Sequence, residues 1–494
     1  MSTALLSVWD KTGLVDLAGQ LVRHGFRILS SGGTGTALKE AGIPFTEVSA
    51  YTGAPEMMDG RVKTLHPRIH GGLLGRRGID DAVMQANGIE PIDLLVVNLY
   101  PFEAMRDREL PLYELIEFID VGGPAMIRAA AKNYRDVAVV VDPSQYGRVL
   151  EALGRGGFSD GDRLALARTA FARTAAYDAA ISNHLQAPDG GFPPVLTRQW
   201  TGGRPLRYGE NPHQQAAVYG EGGIAGAVPL QGREMSYNNY LDTHAAVGLV
   251  REFEECAAVV VKHNNPCGAA LGSDPLEAYV AAREVDPLSA YGGVVALNRP
   301  VDVALAGEIV STFIEVLAAP EISGEALGIL AAKPNLRVIR IGTPVPGDEI
   351  RTIDGGVMVQ RTPPFSEDWD VVTKRAPTPG EEAGLRFGLR VAAHAKSNTV
   401  VFANARQVLG IGAGQVSRVD AARIAVEKAR LSLVGSSVAS DGFLPFPDTL
   451  ELASGAGATA LAQPGGSIRD DEVIDAADRL GVAMVFTGVR HFRH

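Results

Sequence analysis

Val259-Val260-Val261-Lys262-His263-Asn264-Asn265-Pro266-Cys267-Gly268 lies just past the midpoint of a 494-residue chain. With Ala257 and Ala258 the valines form a short apolar, β-branched run that predicts a buried strand. The run stops at a lysine, a histidine and two asparagines, and Pro266 and Gly268 read as the turn that follows. In an open α/β sheet, ligands gather beyond the carboxyl ends of the strands, so these polar residues face a site rather than the core. A histidine can move a proton near neutral pH, and an adjacent ammonium attracts developing negative charge. The plainer alternative, a solvated strand end, stays open on these residues alone.

Length predicts two to four domains of roughly 150 residues each. A hydrophobic fraction of 46% with 21% charged residues is that of a core-forming globular protein. The net charge of −11 argues against a nucleic-acid binder or a polybasic membrane binder. Local clusters such as Arg61 and Lys63 can still meet a small anion. Two cysteines, Cys256 and Cys267, cannot build a disulfide framework and fit a reducing compartment. No leader pattern and no apolar run of about 20 residues is evident, so a soluble, cytoplasmic protein is expected.

The first half alternates strand and helix. Strands are predicted at 5–8, 26–29, 93–97 and 137–141, with helices at 14–24, up to 40, at 125–131 and at 163–185. This alternation implies a parallel sheet covered on both faces. Ser31-Gly32-Gly33-Thr34 between strand and helix is an anion site in outline, although it matches neither the Walker nor the dinucleotide spacing. A tight βα turn is the alternative. Residues 59–72, with Arg61, Lys63, Arg68, His66 and His70, read as a Gly- and Pro-punctuated loop suited to anions. No nearby ligand set completes a metal site with the two histidines. Asp120-Val-Gly-Gly-Pro124 reads as a second glycine turn, and Tyr177 and His184 on the last helix as packing residues.

Ser7-Val-Trp-Asp-Lys-Thr-Gly13, Ser31-Gly-Gly-Thr34, Gly60-Arg-Val-Lys-Thr-Leu-His-Pro67, Asn98-Leu-Tyr-Pro101 and Asp120-Val-Gly-Gly-Pro124 occur in this order. Together they resemble the cyclohydrolase half of the bifunctional phosphoribosylaminoimidazolecarboxamide (AICAR) formyltransferase/IMP cyclohydrolase family. The resemblance implies a fold similar to methylglyoxal synthase, with Lys63, Tyr100, Asp120 and Lys132 at a ring-closing site. It further implies nucleotide contacts from Ser7, Lys11, Thr12, Ser31, Gly32, Gly33, Thr34, Arg61, Thr64, Asn98, Gly122 and Gly123. Ring closure suits these residue types. A lysine can stabilise charge growing on a formyl oxygen, and an acid and a phenol can orient or deprotonate a poorly nucleophilic amide.

The Pro/Gly-rich stretch 187–194 marks a domain boundary, giving domains 1–190 and 191–494. The segment 343–381 reads as a connection between subdomains. Gly410-x-Gly-x-Gly414, followed by Arg418, reads as a glycine-rich turn for an anion. It departs from the dinucleotide pattern because the third glycine comes one residue early.

Arg207-Tyr-Gly-Glu-Asn-Pro-His-Gln214, Lys262-His263, Ser397-Asn398, Gly410 to Arg418, Ser440-Asp441, Phe443 to Phe446 and Arg490 resemble the formyltransferase half of the same family. That resemblance implies two α/β subdomains similar to cytidine deaminase but without its zinc; the chain carries neither an HxE with a PCxxC nor another zinc cluster. It implies that Lys262, His263 and Asn398 are catalytic, and that Arg207, Tyr208, Asn239, Arg418, Phe443, Asp448 and Arg490 bind substrate. The co-substrate would be 10-formyltetrahydrofolate, and the nucleotides AICAR, its formylated form FAICAR, and IMP. No catalytic metal is expected, a structural alkali ion stays open, and the family forms a homodimer. Asn264-Asn265 stand where the family often has small residues, which implies altered side-chain contacts. An alternative reading makes the first half a regulatory nucleotide-binding module on a formyltransferase.

Overall fold

A computed structural model describes residues 1–55, 57–186, 191–227, 229–361, 365–366 and 368–494. Part of the predicted boundary at 187–194, residues 187–190, lies outside the described residues, as do 362–364 and 367 of the predicted subdomain connection. The chain divides into two compact units, Met1–Gln199 and Trp200–His494.

The first unit is built on five parallel strands: β1 (Thr3–Val8), β2 (Arg27–Ser30), β3 (Thr46–Glu47), β4 (Leu94–Asn98) and β5 (Ala138–Val140). Their order is β3-β2-β1-β4-β5. The central strands are buried on both faces, as their unbroken apolar runs require. One core layer sits around Leu5, Leu95, Val97 and Ile127, and the other around Leu6, Leu94, Leu17 and Leu21. Because the chain winds outward in both directions from β1 and β4, their carboxyl ends flank the sheet's switch point.

Two predicted loops of this unit are partly helical. Pro67–Leu74 is a helix with Pro67 in its first turn, started by His66, whose Nδ1 accepts the Arg68 N–H at 3.1 Å. A proline at the helix start loses no hydrogen bond, so the punctuation that suggested a loop is a helix-start signal. Gly32-Gly33 and Gly122-Gly123 likewise form the first turns of the helices Gly32–Glu40 and Gly122–Lys132.

The second unit opens with a small hairpin of β6 (Arg204–Leu206) and β7 (Ala216–Val218). Two six-stranded mixed sheets follow. The first contains β8 (Pro229–Gln231), β9 (Ala257–Lys262), β10 (Asn265–Leu271), β11 (Val294–Leu297), β12 (Val316–Ala319) and β13 (Arg337–Arg340), in the order β10-β9-β11-β12-β13-β8. A hairpin of β14 (Glu349–Ile353) and β15 (Gly356–Gln360) stands between the sheets. The second contains β16 (Asp370–Val371), β17 (Val400–Ala403), β18 (Val408–Gly412), β19 (Ser437–Ser440), β20 (Ala460–Gln463) and β21 (Ala483–Phe486), in the order β16-β21-β20-β19-β17-β18.

The two sheets are the same structure twice. In each, an edge hairpin runs antiparallel to its neighbour, two parallel steps follow, and an antiparallel strand closes the far edge. The helices Tyr237–Val250 and Pro379–Ala393 are equivalent in the two repeats, and a common core joins them, with Phe253 and Phe387 stacked at 5.1 Å. The edge hairpins also meet, through the Leu271 N–H to Arg406 O bond of 2.7 Å.

The deciding stretch departs from its prediction. The turn is His263-Asn264, not Pro266 and Gly268, which belong to β10. Lys262 and Asn265 pair across it, and φ is 51° at His263 and 61° at Asn264. Two consecutive left-handed residues make the tight turn that matches strand twist, and Asn and His tolerate this region better than most side chains.

Gly410 and Gly412 are also strand residues of β18 rather than a turn, and only Gly414 is left-handed, at φ 69°. A side chain at Gly412 would come within 1.8 Å of Ala421 O on the helix packed over it; at Gly268, the corresponding approach to Ala282 O is 1.9 Å. These glycines exist for close helix-on-strand packing, not for an anion.

The hairpin geometry sets up a substitution test. Asn264→Gly is expected to keep stability and formyl-transfer rate within about twofold, because glycine adopts φ near 60° freely. Asn264→Val is expected to lower stability by about 1–2 kcal/mol. Chemical denaturation of the two variants measures the difference.

Candidate active sites

In the first unit, the polar residues converge beyond the carboxyl ends of β1, β2 and β4. Asn98 clamps the loop after β1: its Oδ1 accepts the N–H groups of Trp9 at 2.6 Å and Asp10 at 2.9 Å, while its Nδ2 donates to Asp10 O at 2.8 Å. Thr34 is buried and spent on β1, accepting from the Val8 N–H at 2.9 Å and donating to Val8 O at 3.0 Å. Thr12 closes the same loop by donating its N–H to Asp10 at 2.9 Å. These contacts hold the start of the helix Gly32–Glu40 against the end of β1.

Two ammonium groups sit at that helix start. A side chain at Gly32 would come within 2.6 Å of Lys63 Nζ, and one at Gly33 within 3.6 Å of Lys11 Nζ. A helix N-terminus carries positive partial charge and, with two lysines beside it, makes a locally cationic surface suited to an anion. Ser31 Oγ is buried there without a hydrogen-bond partner. Ser31, Lys63 and His66 line a cavity of about 220 Å³. Arg61, on the same loop, pairs with Glu117 and holds that carboxyl below its ordinary range.

The loop 61–65 continues to a second helix start. A side chain at Gly122 would come within 2.5 Å of Thr64 Oγ1, and one at Gly123 within 2.4 Å of Asp120 Oδ2. Both positions must therefore be bare. Asp120 Oδ1 accepts the Gly123 N–H at 2.7 Å. Burial pushes the Asp120 carboxyl above its usual range, opposed by the backbone N–H groups of Gly123 and Tyr100. Burial, and then the charge of Asp120, push the Tyr100 hydroxyl up. Tyr177 is fully buried, as packing predicts, but its hydroxyl also accepts the Asp120 N–H and donates to Phe118 O, both at 2.9 Å. It fixes the backbone on which Asp120 is carried.

Lys132 is the exception. It ends the helix that Gly122 begins, ten residues and on the order of 15 Å along the axis from Gly122, which itself lies two residues past Asp120. Its side chain lines a separate cavity of about 660 Å³ with His70, Arg128 and Phe171. Within one chain it does not join Asp120 and Tyr100. The helical residues 125–131 separate Lys132 from the Asp120–Pro124 motif.

In the second unit, Lys262 Nζ donates to Tyr291 O at 3.0 Å and Gly292 O at 2.9 Å. These bonds use two of its three N–H groups. His263 is exposed on the turn beside it. Asn265 Oδ1 accepts the Lys396 N–H at 2.9 Å, which ties the hairpin of the first repeat to the Lys396-Ser397-Asn398 segment of the second. The residue that departs from the family pattern is thus a clasp between the repeats.

Asn398 is held on three sides. Its Nδ2 donates to Gln415 O at 2.9 Å, its N–H donates to the same oxygen at 3.0 Å, and its Oδ1 accepts from Arg418 at 3.0 Å. Arg418 also pairs with the fully buried Asp441 at 2.9 Å and donates to Phe443 O at 2.8 Å. Arg490 lies 4.3 Å from the centre of the Phe492 ring, and Arg418 6.0 Å from the same ring. Asn239 is buried, caps its own helix with Ser236, and donates Nδ2 to Glu315 at 2.9 Å. Arg207 stacks on Tyr208 at 5.4 Å. The exposed Asp448 accepts from Thr449 at the start of its own helix and shares no contact with the other predicted residues.

Comparison with known proteins bears directly on these two units. The sequence profile of the AICARFT/IMPCHase bienzyme matches residues 130–428, and that of an MGS-like domain matches residues 13–125. The bifunctional purine biosynthesis protein PurH of Myxococcus xanthus is 52% identical, over 99% of this chain and 100% of that protein. Those of Magnetococcus marinus and Chloroflexus aurantiacus are 51% and 50% identical, each over 99% of this chain and covering 99% and 98% of their own lengths. This chain belongs to the PurH family. It is a bifunctional enzyme of purine biosynthesis, an AICAR formyltransferase and IMP cyclohydrolase.

Against the PurH motifs, sequence reasoning passed over several residues that the fold brings to these sites. Asp242 was given no role, yet it accepts the Asn264 N–H at 2.7 Å. Its signal was its position three residues after Asn239, on one face of one helix. Glu315, likewise given no role, accepts from Asn239 Nδ2 at 2.9 Å. Arg418, expected to bind substrate, is committed to Asp441 and Asn398. Among the described residues, no group of three or more His, Cys, Asp or Glu is arranged to hold a metal, and no helix is long and apolar enough to cross a membrane.

Proposed function

We propose that residues 191–494 transfer the formyl group of 10-formyltetrahydrofolate to the 5-amino group of AICAR, and that residues 1–190 close the product FAICAR to IMP. The observation that carries the reading is the exposed His263 beside the tethered Lys262 ammonium, linked through Asn265 to Lys396, two residues before Asn398. His263 takes the proton lost by the amino group as its nitrogen bonds to the formyl carbon. Lys262 uses its remaining N–H on the oxygen that gains charge, and Asn398 orients the formyl group. The C–N bond to the folate breaks, and the proton returns to that nitrogen. Arg207, Tyr208, Asn239 and Arg490 hold the nucleotide, while Arg418 acts through Asn398.

In the first unit, Lys11, Lys63, Ser31 and the helix start hold the phosphate side of FAICAR, with Thr64, Gly122 and Gly123 shaping the path to Asp120. Asp120, raised by burial, accepts a proton from the carboxamide nitrogen as it attacks the formyl carbon. Lys63 stabilises the formyl oxygen, which takes the proton held by Asp120 and a second from the formamide nitrogen as the C=N bond forms, and leaves as water. Nucleophile and electrophile belong to one molecule, so holding the reactive conformer supplies much of the rate. The family resemblance also supports a homodimer, which light scattering would register as twice the chain mass.

The test is to supply the purified chain with AICAR and 10-formyltetrahydrofolate and follow products by absorbance and mass. IMP is the expected product. Arrest at FAICAR would make the first unit a regulatory module and remove its site.

A further inference from the structure

The His263-Asn264 turn is unfavourable on its own. Two consecutive non-glycine residues at φ 51° and 61° cost about 1–3 kcal/mol each unless their surroundings hold them there. Successive N–H groups in such a turn converge on one side and make an anion-binding concavity. The protein fills it with its own carboxylate. Asp242 Oδ1 accepts the Asn264 N–H at 2.7 Å, and the side chains of His263 and Lys262 lie near it.

The support behind Asp242 is rigid. It projects from the helix Tyr237–Val250, which buries Ala246, Val247, Leu249 and Val250 in the core shared by the two repeats. The same helix carries Asn239 one turn earlier. The His263 imidazole itself has no hydrogen-bond partner among the described residues, so the main chain at its base decides where it points.

We infer that Asp242 is a positioning residue for formyl transfer, which aims His263 by anchoring the Asn264 amide of its left-handed turn. This rests on the assignment of His263 as the proton acceptor. A misplacement of about 1 Å at a reacting group can cost on the order of 100-fold in rate, and Asp242 governs placement rather than binding.

The experiment measures formyl transfer by Asp242→Ala, Asp242→Asn and His263→Ala, with ring closure of supplied FAICAR as an internal control. Asp242→Ala is expected to lower kcat by about 100-fold with KM for both substrates within about threefold. Asp242→Asn keeps an acceptor oxygen and should recover to within about tenfold of wild type. Hydrogen exchange of the 259–267 segment should rise in the alanine variant and not in the asparagine variant. Unchanged kcat in Asp242→Ala overturns the inference. So do equal losses in both Asp242 variants, or a loss that appears wholly in KM. If His263→Ala alone keeps full transfer activity, the site assignment fails instead, and the inference with it.

Discussion

His263→Ala lowers the rate of formyl transfer by about 10²–10⁴-fold, the range expected for removing a general base. The amino group of AICAR is a weak nucleophile that must lose a proton as its bond to carbon forms. Among the described groups at the hairpin, Lys262 is an ammonium bonded to two carbonyls and Asp242 is engaged by the Asn264 amide, so neither substitutes as acceptor. The hairpin tip is exposed, and loss of an exposed imidazole leaves the packing of β9 and β10 intact. Thermal unfolding should therefore stay within a few degrees of wild type. Product mass after mixing with AICAR and 10-formyltetrahydrofolate provides the measurement, while FAICAR supplied directly is still converted to IMP. If formyl transfer continues at wild-type rate, another acceptor must be found.

Lys63→Ala gives the complementary result: FAICAR accumulates, because ring closure falls by about 10²–10³-fold while formyl transfer is unchanged. Lys63 is the cation nearest the start of the helix Gly32–Glu40 and lies one residue from Thr64, which packs at the start of the helix Gly122–Lys132. It is therefore placed to serve both phosphate binding and charge on the formyl oxygen. A rise in KM for FAICAR with unchanged kcat would restrict it to binding. Lys11→Ala is the useful contrast, since that lysine sits at Gly33 and bonds Trp9 O at 3.1 Å. Equal effects of the two substitutions on kcat would remove the special role of Lys63.

The candidate site residues were named from local sequence, and their surroundings were not. Motifs such as Lys262-His263 and Ser31-Gly-Gly-Thr34 announce themselves because charged and hydroxyl side chains interrupt apolar strands. What sequence cannot register is why a glycine is there. Gly410 and Gly412 invited comparison with a phosphate loop, but they sit in β18 because Ala425 and Ala421 carbonyls press against them. Pro67 and Pro266 were read as breakers, yet one begins a helix and the other lies in a strand.

The sequence by itself determined the α/β class, the two-part organisation of the chemistry and the family. Alternation of short apolar runs with amphipathic stretches is local information, and motif order survives without knowledge of packing. Tertiary structure alone decided which residues act together. It repeated one mixed sheet twice, joined the repeats through Asn265 and Lys396, brought Asp242 beneath His263, and put the length of a helix between Asp120 and Lys132. The Asn265–Lys396 bond joins residues 131 positions apart and the Asp242–Asn264 bond residues 22 positions apart. Both are set by the packing of rigid elements around a common core, which local patterns of sequence do not register.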